Sequence, residues 1–233
     1  MDAIILCGGL GTRLAPVVST LPKSLAPVAG RPFLDYLLAW LRSTGIVDRV
    51  ILATGHLAGS IDQHYGADFE GLPLCFSREE HPLGTGGALL LALARHGSGR
   101  PVLVLNGDSF VDADLPALAR QLDAGAYDLV MTAFAVDDAA RFGTLTLSGD
   151  RVTAFHEKRG IPTPGHINAG IYAARPEAFD AWAGHPGPLS LEQVVLPALV
   201  AAGRVGALCS GTRFIDIGLP ETYAAAAAFF HPR

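Results

Sequence analysis

Cysteine is scarce in this chain of 233 residues: there are three, and Cys7, Cys75 and Cys209 are widely spaced. Their contexts, Ile-Leu-Cys, Pro-Leu-Cys-Phe and Ala-Leu-Cys, are apolar, so reduced and mostly buried thiols are expected. Basic residues are also few, with 17 Lys and Arg against 22 Asp and Glu and a formal charge of -5. That balance argues against a polyanion-binding face. Nucleic acid is not an expected partner, and any phosphate-bearing ligand is a small molecule held by local cations. The chain opens without a basic stretch leading into an apolar run and a small-residue cleavage site, and no apolar run reaches roughly 18 residues. A cytoplasmic location and no membrane partner are therefore expected. There is no internal repeat, and helix propensity explains the alanine run at 224–228.

Half of the residues, 50%, are apolar, enough to bury a sizeable α/β core. Runs rich in Ile, Leu and Val at 3–7, 49–54, 73–77 and 102–106 read as strands buried on both faces. Helices are predicted between them at 33–44, 58–65 and 84–96, the alternation of a mostly parallel central sheet flanked by helices. Right-handed crossovers bring the strand ends to a common edge, and ligands bind beyond the carboxyl ends. The Gly8 loop, Thr54-Gly55 and Asn106-Gly107-Asp108 all emerge there. Farther along, the pattern predicts a helix near 115–124, a strand at 128–136 and a hairpin of 143–147 with 152–155 turned by Ser148-Gly149-Asp150. A strand at 168–174 and helices at 189–202 and 220–230 complete a second half that reads as a small mixed lobe on the same core.

The richest local signal is Leu6-Cys7-Gly8-Gly9-Leu10-Gly11-Thr12-Arg13-Leu14 followed by Pro22-Lys23. Glycines let backbone approach a phosphate chain, and Arg13 and Lys23 bring cations to it. Leu14 stands where a dinucleotide fingerprint needs its third glycine, and Lys23 lacks the Gly-Lys-Ser/Thr step of a Walker loop. A tight solvent turn is the plainer alternative, yet it needs neither cation. Leu83-Gly84-Thr85-Gly86-Gly87-Ala88 lies at a helix start, whose unpaired donors suit a base or ribose; helix capping and close packing are the plainer alternative. Glu79, Glu80 and His81 before it read as solvated or loop-locking. Asp108, directly after a buried strand, suits a divalent metal shared with phosphates, or else a turn. Asp112 and Asp114 read as helix starters. Asp216 follows a second apolar run. Glu157-Lys158 and Asn168-Ala169-Gly170 offer a cation, an amide and a close backbone approach to a hydroxyl-rich ligand. Arg31, Arg141 and Arg213 stay open between phosphate and scaffold roles.

Together, in order and spacing over essentially the whole chain, these motifs and Phe214-Ile215-Asp216-Ile217-Gly218 resemble the sugar-1-phosphate nucleotidyltransferase family. The resemblance implies a Rossmann-like nucleotidyltransferase fold as a single catalytic domain over 1–233, without a C-terminal β-helix extension. It implies that Leu6, Gly8, Gly9, Gly11 and Thr12 wrap the nucleotide, that Arg13 grips its β and γ phosphates and Lys23 binds near the transferred phosphorus, and that Gly84, Thr85 and Gly86 touch base and ribose. Asp108, Gly143, Glu157, Lys158, Asn168 and Gly170 would line the sugar-phosphate site, and Asp108 and Asp216 would hold Mg²⁺. Arg13, Lys23 and Asp108 would carry the chemistry. The expected partners are an NTP and a sugar 1-phosphate, and a homodimer is compatible with the sequence.

Cys7 before Gly8-Gly9, the Pro82 to Gly87 loop and the compact length are most similar to the branch that uses GTP and D-glycero-α-D-manno-heptose 1-phosphate. Mannose 1-phosphate with GTP, and UTP with N-acetylmuramate or glucose 1-phosphate, are the neighbouring readings. A non-catalytic nucleotide-sugar sensor is a reading of another class, disfavoured because Arg13, Lys23 and Asp108 are all present.

Overall fold

The computed structural model describes residues 1–9, 13–14, 17–18, 21–55, 57–156 and 160–231. The first half runs β1 (Asp2–Leu6), the short β2 (Pro27–Val28) and β3 (Arg31–Pro32), α1 (Phe33–Thr44), β4 (Arg49–Thr54) and α2 (Ala58–Tyr65). It continues with β5 (Asp68–Phe69), β6 (Leu72–Arg78), α3 (Gly84–His96), β7 (Val102–Asn106), β8 (Ser109–Val111) and α4 (Leu115–Asp123). The second half is β9 (Leu129–Val136), β10 (Thr144–Ser148), β11 (Arg151–His156), β12 (Gly165–Ala174), α5 (Leu196–Ala201), β13 (Val205–Cys209), β14 (Phe214–Asp216) and α6 (Pro220–Phe230).

Among the described residues ten strands form one sheet in the order β10-β11-β13-β9-β12-β7-β1-β4-β6-β5. β1 lies at its centre, parallel to β4 and β7, with Leu6 level with Ala53 and Asn106. Its side chains alternate between two cores: Ala3 and Ile5 face α1 and α4, whereas Ile4 faces α3 and α5. This two-sided burial explains why the central strands read as continuous apolar runs. α1 buries Phe33, Leu34, Leu37, Leu38 and Leu41, one helical face, and stops at Gly45, whose φ of 69° few side chains tolerate.

The mixed second half joins this same sheet through β12, antiparallel to both β7 and β9. Reversed direction is what matters for the site: the amino half of β12 reaches the carboxyl ends of β1 and β7. Gly170 sits there with φ +79°, and a Cβ at that position would come within 2.7 Å of Asn106 Nδ2. The register of β12 against β9 also shifts between Asn168 and Tyr172, turning those residues out of regular pairing.

Three expectations are corrected. The helix predicted over 189–202 begins only after Ser190, with a π-helical turn over Leu191–Val195 before α5. β13, parallel to β9, was not foreseen, because Gly206 interrupts its short apolar run; that glycine is needed where the Tyr127 ring packs against it. The thiols are not mostly buried: Cys7 is, Cys75 is half-buried and Cys209, at the end of β13, is exposed, all three free. No helix among the described residues is long and apolar enough to cross a membrane.

Gly170→Ala should cost about 1–3 kcal/mol, the range for a side chain forced into this backbone region. Urea denaturation is expected to show a lower midpoint at unchanged slope.

Candidate active site

Two adjoining clefts open at the carboxyl ends of β1 and β7. One, of about 340 Å³, is lined by Leu6, Gly8, Gly9, Gly84, Thr85 and Glu79, among others. The other, of about 300 Å³, is lined by Arg13, Arg141, Gly143, Asn168, Gly170 and Asp216, with Phe142, Phe155 and Phe214 as apolar wall. Lys23, Asn106, Asp108 and Glu192 belong to both. Gly11, Thr12, Glu157 and Lys158 lie outside the described residues.

The seam is a short ion pair. Lys23 Nζ donates to Asp108 Oδ2 at 2.5 Å, with the lysine side chain 14% and the aspartate 43% exposed. Lys23 starts a single 3₁₀ turn, Lys23–Leu25, after Pro22, and the buried Leu25 anchors that turn in the core. Asp108 follows β7 after Gly107, and its neighbour Ser109 starts β8, which pairs with β14 so that Asp216 stands opposite Ser109. The Ile217 N–H donates to the Asp108 carbonyl at 2.9 Å. A two-stranded sheet thus makes neighbours of the two acids that the sequence leaves far apart. Asp216 is held by Arg141 Nη2 at 3.1 and 3.3 Å and by the Gly218 N–H at 2.9 Å.

In the first cleft Glu79 locks the loop, as its sequence context suggested. Oε2 accepts the Leu83 N–H at 3.0 Å, and Oε1 rests against the Gly8 and Gly55 backbones, where a Cβ on Gly8 would approach to 2.9 Å. A side chain at Gly8 would thus press on the Glu79 carboxylate that holds the loop, whereas Gly9 has open space around it. Burial raises the Glu79 carboxyl above its ordinary range, while the Leu83 N–H pulls the other way. Burial likewise pushes the Cys7 thiol up to about 12, so Cys7 forms an uncharged wall of the cleft.

Gly86 departs from expectation. It does not line either cleft; its N–H, like that of Gly87, is spent on the Leu189 carbonyl at 2.9 and 3.2 Å. A Cβ on Gly84 would come within 2.5 Å of the same oxygen, so close packing explains these glycines, as the plainer reading of the loop held. Gly84 and Thr85 keep their places at the cleft.

Sequence reasoning missed Glu192. The Thr85 hydroxyl donates to Glu192 Oε2 at 2.7 Å and accepts the Leu191 N–H at 2.9 Å. No signal marks Glu192, which in one dimension is an ordinary polar residue on a helix. Ser190 caps the π-helical turn by accepting the Gln193 N–H. Asp112 and Asp114 are structural: the first accepts from Thr212 and Arg213 backbone, the second caps α4. Asn168 Nδ2 donates to the buried Tyr172 hydroxyl at 2.7 Å, and its Oδ1 accepts the Gly170 N–H at 3.0 Å. The buried Asn106 Oδ1 has no hydrogen-bond partner among the described residues.

A cleft rich in backbone approach, joined at a cation to a polar cleft with acids, is the site of a nucleotide-handling enzyme. The nucleotidyl transferase family model matches residues 2–232, and the chain belongs to this family. It is 37% identical to D-glycero-alpha-D-manno-heptose 1-phosphate guanylyltransferase of Aneurinibacillus thermoaerophilus, over 96% of this chain and 95% of that protein. Identity to mannose-1-phosphate guanylyltransferase of Mycobacterium tuberculosis is 34%, over 98% of this chain and 64% of the relative. The crystal structure of HddC from Yersinia pseudotuberculosis superposes with a TM-score of 0.85 at 32% identity, covering 98% of this chain and 99% of that one. The same protein complexed with GMP-PN gives 0.84 at 32% identity, with the same coverage.

Glu79 offers a pH test. A carboxyl raised in the folded state binds more protons than in the unfolded chain, so it costs stability as pH rises through its folded pKa. Glu79→Gln, which keeps an oxygen for Leu83, should gain thermal stability relative to the parent at pH 7, and that gain should vanish as pH falls through the carboxylate range. Thermal melts at a series of pH values check this.

Proposed function

We propose that this protein transfers a guanylyl group from GTP to D-glycero-α-D-manno-heptose 1-phosphate, releasing pyrophosphate. The observation that carries the reading is the seam: Lys23 and Asp108 stand where a nucleotide cleft meets a second, polar cleft, the place for an α-phosphorus between donor and acceptor. The guanylyltransferase relatives and the HddC complex with GMP-PN support guanine as the base, and the heptose enzymes, matched over nearly their full length, support the sugar.

A phosphate monoester with a second pKa of about 6 is largely dianionic at neutral pH and attacks without a general base. Its oxygen forms the new bond to the α-phosphorus while the bond to the β-phosphate bridging oxygen breaks, and pyrophosphate leaves with the electron pair. The chain's task is alignment and charge neutralisation. In this reading Leu6, Gly8, Gly9, Gly84 and Thr85 lie along the nucleoside, and Arg13 and Lys23 meet its phosphates. Gly143, Asn168 and Gly170 receive the sugar phosphate, together with Glu157 and Lys158.

Asp108 and Asp216 fit Mg²⁺: both are hard oxygen donors on one cleft, each meets a cation, and Mg²⁺ takes one or two carboxylates with substrate phosphates. When bound there it would neutralise the phosphate charge. Free thiols and this biosynthetic chemistry suit the reducing cytoplasm.

Pyrophosphate release should be measured across four NTPs and the 1-phosphates of D-glycero-α-D-manno-heptose, mannose, glucose and N-acetylmuramate. The expected signal is GTP with the heptose phosphate; GTP with mannose 1-phosphate would move the acceptor assignment, and silence in every combination would overturn the reading. With the active pair, Lys23→Ala and Asp108→Ala should each lower kcat by roughly 10²-fold or more, the scale of one preorganised electrostatic contact. Near-parental turnover in both would refute their roles.

A further inference from the structure

Arg141 and Asp216 form an ion pair of unequal partners. Asp216 is 17% exposed and is fixed from behind by the Gly218 N–H on Oδ1. Arg141 is 41% exposed and reaches the carboxylate only through Nη2, with its guanidinium 5.5 Å from the Phe142 ring centroid. The backbone around it is pinned: Asp138 Oδ1 accepts the Ala140 N–H at 2.9 Å, and the Ala139 N–H donates to the Thr163 carbonyl at 2.9 Å. The loop holds its place while the long side chain is free to turn about its own bonds.

Among the described residues the charges lining this cleft balance: Arg13, Lys23 and Arg141 against Asp108, Glu192 and Asp216. Two of the cations are already committed to carboxylates, Lys23 to Asp108 and Arg141 to Asp216. A divalent cation and a guanidinium repel each other and compete for the same carboxylate oxygens. Whatever displaces Arg141 from Asp216 leaves a planar, permanently charged fork beside Gly143 and Asn168, suited to bidentate binding of a phosphate.

Resting on the function proposed above, we propose that Arg141 is a transferable cation: it occupies Asp216 until a divalent metal competes for that carboxylate, then turns to the phosphate of the sugar 1-phosphate.

Two affinities moving in opposite directions test this. With the full-length protein and Mn²⁺ alone as probe, followed by electron paramagnetic resonance, Arg141→Ala should bind Mn²⁺ about 2–5-fold more tightly, the scale of a half-exposed ion pair removed as competitor. By calorimetry in the presence of Mn²⁺ and a non-hydrolysable GTP analogue, the same variant should bind heptose 1-phosphate roughly 10-fold or more weakly, the loss of a charge-assisted contact. Arg141→Lys, which keeps the charge without the fork, should return Mn²⁺ affinity toward the parent and recover part of the acceptor affinity. A scaffold role would weaken both affinities together, and that result, or an unchanged Mn²⁺ affinity in Arg141→Ala, overturns the proposal. If the parent itself binds no sugar 1-phosphate, the functional reading fails, and the Mn²⁺ comparison alone then decides whether Arg141 and metal exchange at Asp216.

Discussion

The Lys23–Asp108 ion pair is the point on which the two clefts turn. At 2.5 Å, with the ammonium largely out of water, it places a cation and an acid at the seam without ligand, metal or partner. Such a pair contributes little to stability, because the cost of desolvating the lysine offsets much of the attraction. What it fixes is position. Lys23 arrives from the 3₁₀ turn behind Pro22, and Asp108 from the end of β7, so the pair ties the loop after β1 to the sheet edge where the second cleft begins.

Backbone geometry then determines what gathers round that pair. Three parallel strands present their carboxyl ends together, and the Cys7 N–H to Ala53 and Gly107 N–H to Leu6 bonds carry the pairing one step past the strands into the loops. β12 enters from the opposite direction and can lie against Asn106 only because Gly170 has no side chain. The β8–β14 pairing brings Asp216 to the same edge. None of these contacts is large, yet each depends on a backbone approach that a Cβ or a one-residue register slip would prevent.

This division explains what was legible in the sequence. α1, β4, α2, α3 and β7 announced themselves through apolar periodicity, and the residues at their ends through glycine, asparagine and acid directly after a buried run. The pieces set by tertiary contact carried no such mark. β8 and β14 are too short for a pattern, and β13 contains a glycine that its neighbour Tyr127 requires. Arg141 sits in a connection between strands and Glu192 in a π-helical turn, so their place in the cleft comes from crossovers that one-dimensional spacing does not encode. Cys209 looked buried because its strand is apolar, but it lies at that strand's end, where the chain leaves the sheet.

The start of α3 shows how the same residues can be read two ways until the acceptors are counted. A helix N-terminus after glycines is an anion site only while its N–H groups are unspent. Here Leu189 takes both the Gly86 and Gly87 N–H groups on one carbonyl and returns its own N–H to Leu83, while Thr85 bridges Leu191 and Glu192. With two of the first-turn N–H groups spent, and the Glu192 carboxylate adding negative charge beside them, the first turn of α3 attracts a phosphate chain less than its glycines suggest. This fits the proposed placement, in which the phosphates run toward Lys23 and Arg13 and the uncharged nucleoside takes the α3 end of the cleft.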